Sequence, residues 1–238
     1  MWRRWLERLL LAARRPDLAW RRLRGVEVIG ISLDEMAPYL GEHPVIVEAG
    51  AWNGSDTVRF AERWPDAEIH TFEPVPSSFA LVEENTRHLP QVRRYPLALA
   101  DRTEGRTMFV SADAAGSHGS SSLLAATGHL EEFPQVDFPE QIDVQAVTLR
   151  DWAQTSGIER IDLLWLDLQG MELPVLQASP DVLARTRAVS LEVSRHELYG
   201  GSGLYPEVIA WMKSQGFEPV IDRVLVAFGN MLFVKRDL

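Results

Sequence analysis

Short apolar runs alternate with segments of helical period along most of the chain. Residues 45–49 (Val-Ile-Val-Glu-Ala), bounded by Pro44 and Gly50, have the pattern of a buried strand. Residues 55–64 read as a helix, 69–72 as a second strand, and about 77–88 as a second helix closed before Pro90. A third strand around 92–98 leads through a turn at 101–105 into residues 106–110, which read as a hairpin return. Residues 111–140 are rich in Ser, Gly, Ala and Pro and lack periodicity over most of their length; so long a loop inside a compact domain is usually functional. Beyond it come a strand at 144–148, a short helix at 149–155, a buried strand at 161–167 with its polar residue at the carboxyl end, and a helix at 172–178 carrying Pro174 in its first turn. A strand at 188–193, a helix at 205–215 and two closing strands near 217–222 and 231–235 complete the pattern. The alternation predicts an α/β fold: a Rossmann-like, doubly wound, mostly parallel sheet covered on both faces, with an inserted hairpin and loop.

The first 25 residues differ. Trp2, Trp5, Leu6, Leu9, Leu10 and Ala13 recur at helical spacing among eight arginines, and the longest apolar run, 9–13, is too short for a signal peptide or a membrane span. Against Glu7 and Asp17 those arginines give the leader a net +6 in a chain of formal net −10, so residues 26–238 carry −16. The acidic body disfavours general nucleic-acid binding. The reading is a basic helical extension over 1–41, a domain over 42–238 and an inserted substrate loop at 111–140. The leader's apolar stripe either packs on the domain or a partner, which is the favoured expectation, or makes a peripheral contact with an anionic membrane. Cysteine is absent, which excludes disulfides, thiolate zinc sites and a cysteine nucleophile, and fits a reducing, cytoplasmic setting.

Ligands of open parallel sheets bind outside the carboxyl ends of the strands, where strand order reverses. Four of the five strand ends in question carry an acid: Glu48, Glu73, Asp167 and Glu192, with Ala98 and Leu99 at the remaining one. Glu48 opens the turn Gly50-Ala51-Trp52-Asn53-Gly54, whose end glycines allow close backbone approach. Trp52 stands where a dinucleotide fingerprint has its middle glycine, which disfavours nicotinamide-dependent oxidation. Glu73, 23 residues beyond Gly50, matches the acid that accepts ribose hydroxyls, although an acid before a helix N-terminus also has a structural use.

Residues 48–57, Phe72-Glu73-Pro74, Ala98-Leu99-Ala100-Asp101, Gly119-Ser120-Ser121-Ser122-Leu123 and 162–172 together resemble the FkbM family of S-adenosylmethionine-dependent methyltransferases, over about residues 44–236. The resemblance implies a class I methyltransferase fold of seven strands with one antiparallel, and methyl transfer to an oxygen of a sugar, glycan or other small metabolite. It also implies that S-adenosylmethionine is held by Glu48, the 50–54 turn, Thr57, Glu73, Pro74, Ala98, Leu99 and Asp167. In that assignment the turn wraps the methionine moiety, Glu73 holds the ribose, Ala98 and Leu99 border the adenine, and Asp167 faces the transfer cleft. The chain departs from the family where Trp52 replaces a common Asn and where Trp165 and Gln169 replace Lys and Glu.

An alcohol acceptor benefits from a general base. Asp167 is the first candidate by position, with His118 and His196 as alternatives because imidazole titrates near neutrality. Ser120, Ser121, Ser122 and Glu192 are expected to contact the acceptor, the serines as part of a lid that Phe133 and Phe138 could equally anchor to the core. No metal ligand is assigned: Asp167, Glu192 and His196 lie at neighbouring strand ends and could meet, but they lack a ligand spacing signature, and metal dependence stays open. N- or carboxyl-methylation and a non-catalytic cofactor-binding scaffold remain open alternatives.

Overall fold

The computed structural model describes residues 30–113, 118–224 and 227–236. The leader at 1–25 lies outside these residues. Strands β1 (Val45–Ala49), β2 (Glu68–Phe72) and β3 (Val92–Tyr95) alternate with helices α2 (Ser55–Arg63) and α3 (Pro76–Thr86), and a short helix, α1 (Leu33–Met36), precedes them. The chain then forms β4 (Ala98–Leu99), β5 (Glu104–Ala112), α4 (His129–Glu132), β6 (Asp137–Val147) and α5 (Leu149–Ser156). It closes with β7 (Ile161–Leu166), α6 (Glu172–Ala178), α7 (Pro180–Ala184), β8 (Thr186–Ser194), α8 (Tyr205–Ser214), β9 (Phe217–Asp222) and β10 (Phe228–Lys235).

Seven of these strands make one sheet in the order β3-β2-β1-β7-β8-β10-β9, in which β10 alone runs against its neighbours. The fold is Rossmann-like. Strand order reverses between β1 and β7, and ligand clefts of open parallel sheets form at such a point. Both faces of the sheet are buried, as a parallel sheet requires. Successive residues of β1 serve opposite faces: Ile46 packs with Phe60, Trp64, Ile69, Leu163 and Leu232, and Val47 with Phe72, Leu99, Leu149 and Trp152. Ile31 and Met36 join the first of these groups, so the segment around α1 is part of the packed body. Among the described residues no helix is long and apolar enough to cross a membrane.

Three sequence expectations are corrected. The strand expected at 92–98 ends at Tyr95, because Pro96 has no N–H to continue the ladder, and Ala98–Leu99 instead joins a second, three-stranded sheet. The expected hairpin return does not pair back on the strand before it: β6 lies between β4 and β5, parallel to one and antiparallel to the other. The apparent long loop at 111–140 contains the end of β5, α4 and the first part of β6. The outer half of β6 pairs only with β5 and is largely exposed, so no buried face imposes an alternating pattern on it.

An aromatic cluster ties α5 to the β2 and β3 side of the main sheet. Trp152 of α5 meets Phe72 edge-on at 5.2 Å and also contacts His70 and Tyr95. Its indole N–H is buried without a hydrogen-bond partner. Trp152→Ala is expected to lower the unfolding free energy by about 3–5 kcal/mol in denaturant titration. Trp152→Phe should cost far less, because it keeps the ring and removes an unpaired donor.

Candidate active site

Where β1 and β7 end, the two chains nearly touch. Gly50 leaves β1 at φ 88°, and a Cβ on it would stand 1.9 Å from the carbonyl oxygen of Asp167. Only glycine fits. The turn that follows is held by Glu73 at the end of β2: its Oε2 accepts the N–H of Trp52 at 2.8 Å and its Oε1 that of Val75 at 2.9 Å. Trp52 itself sits at φ 51°, a left-handed conformation that costs a bulky residue roughly 1–2 kcal/mol and that Asn adopts more readily.

These elements open onto a cleft of about 520 Å³, counted out to its mouth. Of the residues expected at the site, Gly50, Trp52, Glu73, Pro74, Ala98, Leu99, His118, Ser121 and Asp167 line it. Phe72, Leu97, Met108, Gly119, Leu123, Leu168 and Met171 line it too. Met108 comes from the second sheet, so only the tertiary fold could reveal it; Leu168 and Met171 follow Asp167 directly and could have been read as its turn.

The other expected residues lie off the cleft wall. Glu48 is buried and accepts hydrogen bonds from the hydroxyls of Thr57 and Thr71, locking α2 to the strands. Ala51 and Gly54 form the inside of the turn, where Gly54 N–H donates to the Ala51 carbonyl. Asn53 Oδ1 accepts the Ser55 N–H at the start of α2. Ser122 is buried and donates to the Gln169 carbonyl, and the N–H of Ser120 donates to the Ser111 hydroxyl. Glu192 lines a separate small cavity with Glu172 and Tyr199. His196 is exposed and lines neither cavity. Phe133 packs on Phe228 and His129, and Phe138 on His129 and Tyr199, the anchoring to the core expected as the alternative to an acceptor-binding lid.

Buried carboxylates dominate the electrostatics. Glu172 accepts the N–H groups of Leu168 and Gly170, bracing the turn after β7 much as Glu73 braces the turn after β1. Burial pushes Glu48, Glu73 and Glu172 up to about 7, even though their hydrogen bonds favour the ionised form. Glu192 is raised well above its ordinary range by burial and by the charges of Asp167 and Glu172. Asp167 is open to solvent on its cleft side but closely surrounded by protein elsewhere. That desolvation raises its pKa; a hydrogen bond from Gln169 opposes the shift, and the charge of Asp56 adds to it.

Sequence reasoning also missed Tyr199, and it noted Gln169 only as a departure from the family, with no contact assigned. The Gln169 amide donates to Asp167, and its Oε1 lies 2.7 Å from the Tyr199 hydroxyl, which is also 2.9 Å from the Ser120 carbonyl. Burial and the charges around it push the Tyr199 pKa up, so the hydroxyl stays a donor and ties the lid to Asp167. His118 Nδ1 lies 2.6 Å from the Ser111 carbonyl oxygen and so carries the proton, leaving Nε2 as an acceptor.

A family model described as the methyltransferase FkbM domain matches residues 48–219. The chain belongs to the FkbM methyltransferase family. It is 36% identical to the 2-O-methyltransferase NoeI of Sinorhizobium fredii over 162 residues, which are 66% of each chain. It is 30% identical to the 31-O-demethyl-FK506 methyltransferase FkbM of Streptomyces tacrolimicus over 200 residues, 75% of this chain and 74% of that one. The chain thus spans about two thirds to three quarters of these relatives. A solved methyltransferase FkbM from Methylobacillus flagellatus shares the fold, with a TM-score of 0.51 at 9% identity over 81% of this chain and 44% of the other.

The raised glutamates give stability a pH dependence. Between their ordinary value of 4.5 and about 7 the folded FkbM-family chain holds protons that the unfolded chain has lost, so their contribution is complete below 4.5 and is lost as pH rises through 7. The ligand-free protein should melt at a higher temperature at pH 5.5 than at pH 7.5 in scanning calorimetry. Glu172→Gln should narrow that gap.

Proposed function

We propose that this chain is an S-adenosylmethionine-dependent O-methyltransferase acting on a hydroxyl of a sugar, glycan or other small metabolite. The observation that carries the reading is the pairing of Gly50 and Glu73 at the switch point. The backbone at Gly50 is bare where a ligand must come close, and each oxygen of the Glu73 carboxylate has a lone pair left for a ribose hydroxyl after accepting its backbone N–H. Beside them Leu97, Ala98, Leu99 and Met108 form an apolar slot suited to adenine. The names of the relatives, both O-methyltransferases, support oxygen as the accepting atom.

When bound, the cofactor supplies a methyl group already activated on a sulfonium. The chain's task is to orient the acceptor and remove its proton. Asp167 is assigned as the base: it lies on the cleft, and its raised pKa makes it a stronger base than an ordinary carboxylate. His118 is the second candidate, since its Nε2 is left as an acceptor. The carboxylates of Glu73 and Asp167 also complement a cationic ligand.

Calorimetry should show S-adenosylhomocysteine binding, weakened about tenfold or more in Glu73→Ala, the scale of losing hydrogen bonds to a charged acceptor. Undiminished binding in that variant would remove the ribose assignment. Asp167→Asn should slow turnover ~10²-fold or more with cofactor affinity largely kept. Should that variant turn over normally while His118→Gln does not, the base is His118.

A further inference from the structure

Asp167 lines two cavities and is the one residue they share. The second is polar, about 850 Å³ to its open mouth, and is lined by Ser32, Glu35, Asp56, Arg59, Trp165 and Asn230. It belongs to the other face of the sheet: Trp165 packs with Ile31 and Phe60, against which it lies edge-on at 5.3 Å, whereas Phe72, Leu99 and Met171 of the cleft belong to the opposite apolar layer. Under the reading above, on which this inference rests, Leu97 to Leu99 and Glu73 take the adenosine end of the cofactor. Asp167 then stands at the acceptor end of the cleft, facing this second cavity.

Its lining is selective. Both Glu35 oxygens are engaged, Oε2 by the Ser32 N–H and hydroxyl and Oε1 by Arg223, so this side chain acts as wall. Asp56 is paired with Arg59 at 2.6 Å. With those two pairs neutralised, Asp167 is the carboxylate left without an ion-pair partner among the described lining residues. An anionic acceptor drawn against it would meet repulsion, and the cation in the lining, Arg59, is already paired with Asp56. An indole beside a guanidinium, an amide and a carboxylate instead suits a ring with an apolar face and many hydroxyls. The hydroxyls of Ser111, Ser121 and Ser122 are taken up by one another and by backbone groups, which leaves this cavity as the better place for such recognition.

We propose that this cavity is the acceptor subsite, and that it takes an uncharged, hydroxyl-rich ring such as a neutral glycosyl residue in preference to an anionic sugar. The test is binding by saturation-transfer NMR to the full chain saturated with S-adenosylhomocysteine. The probes are methyl glycosides of neutral hexoses against methyl glucuronide and hexose 6-phosphate. Neutral glycosides should bind about tenfold more tightly than either anion. Arg59→Gln, at an exposed position, and Asn230→Ala should each weaken them roughly threefold to tenfold, the range for one lost hydrogen bond, with S-adenosylhomocysteine affinity unchanged within about twofold. Preference for the anions, or no binding by either series, overturns the proposal. Loss of S-adenosylhomocysteine affinity in both variants also overturns it and makes the cavity part of the cofactor site. If wild type does not bind S-adenosylhomocysteine at all, the reading beneath the proposal fails and the subsite assignment with it.

Discussion

At the switch point of the sheet, the chain leaving β1 and the chain leaving β7 pass so close that the carbonyl of Asp167 fills the space a side chain at Gly50 would need. The contact is fixed on both sides by ladder continuation: Asp167 N–H donates to Ala49, and Gly50 N–H donates to Phe72. Because the backbones are locked there, the Asp167 side chain must point out of the sheet edge, and the turn of Gly50 to Gly54 must swing toward β2. Every other feature of the site hangs from that geometry. A larger residue at position 50 would push the strand ends apart and displace both the turn and the carboxylate.

The acids at the strand ends divide by what their oxygens touch. Glu48 and Glu172 face hydroxyls and backbone N–H groups inside the protein and act as clamps. Glu73 does both, bracing the turn while remaining on the cleft wall. Asp167 alone is exposed, held by one hydrogen bond from Gln169. Burial, with a smaller contribution from neighbouring carboxylates, raises the proton affinity of each. A site so built presents acidic groups to its ligand, the feature on which the proposed function rests.

The second sheet and the segment that follows β5 add the outer wall of the cleft, through Met108, His118, Ser121 and Leu123. Their placement depends on Tyr199, whose hydroxyl joins Ser120 in the lid to Gln169 beside Asp167. His129, Phe133 and Phe138 pack around the same tyrosine or beside it, so the lid has an apolar root as well as a polar tie.

The central strands β1, β2, β7 and β8 were legible in the sequence because they are buried on both faces, and most of the longer helices start or stop at a recognisable signal. The spacing of Gly50 and Glu73, and the acids at strand ends, pointed to the edge of the sheet where the cleft lined by Gly50, Glu73 and Asp167 lies. What the sequence could not determine was which of these polar residues face outward. Glu48 and Asp167 look alike as strand-end acids, yet one is enclosed by Thr57 and Thr71 and the other is open, a difference set by α2 packing over the first. The pairing of β5 with β6, the approach of Met108, and the joining of Gln169 to Tyr199 across 30 residues are likewise contacts between segments distant in the chain. Local periodicity reports which segments are buried; only the tertiary fold decides which polar side chains are enclosed, and against what.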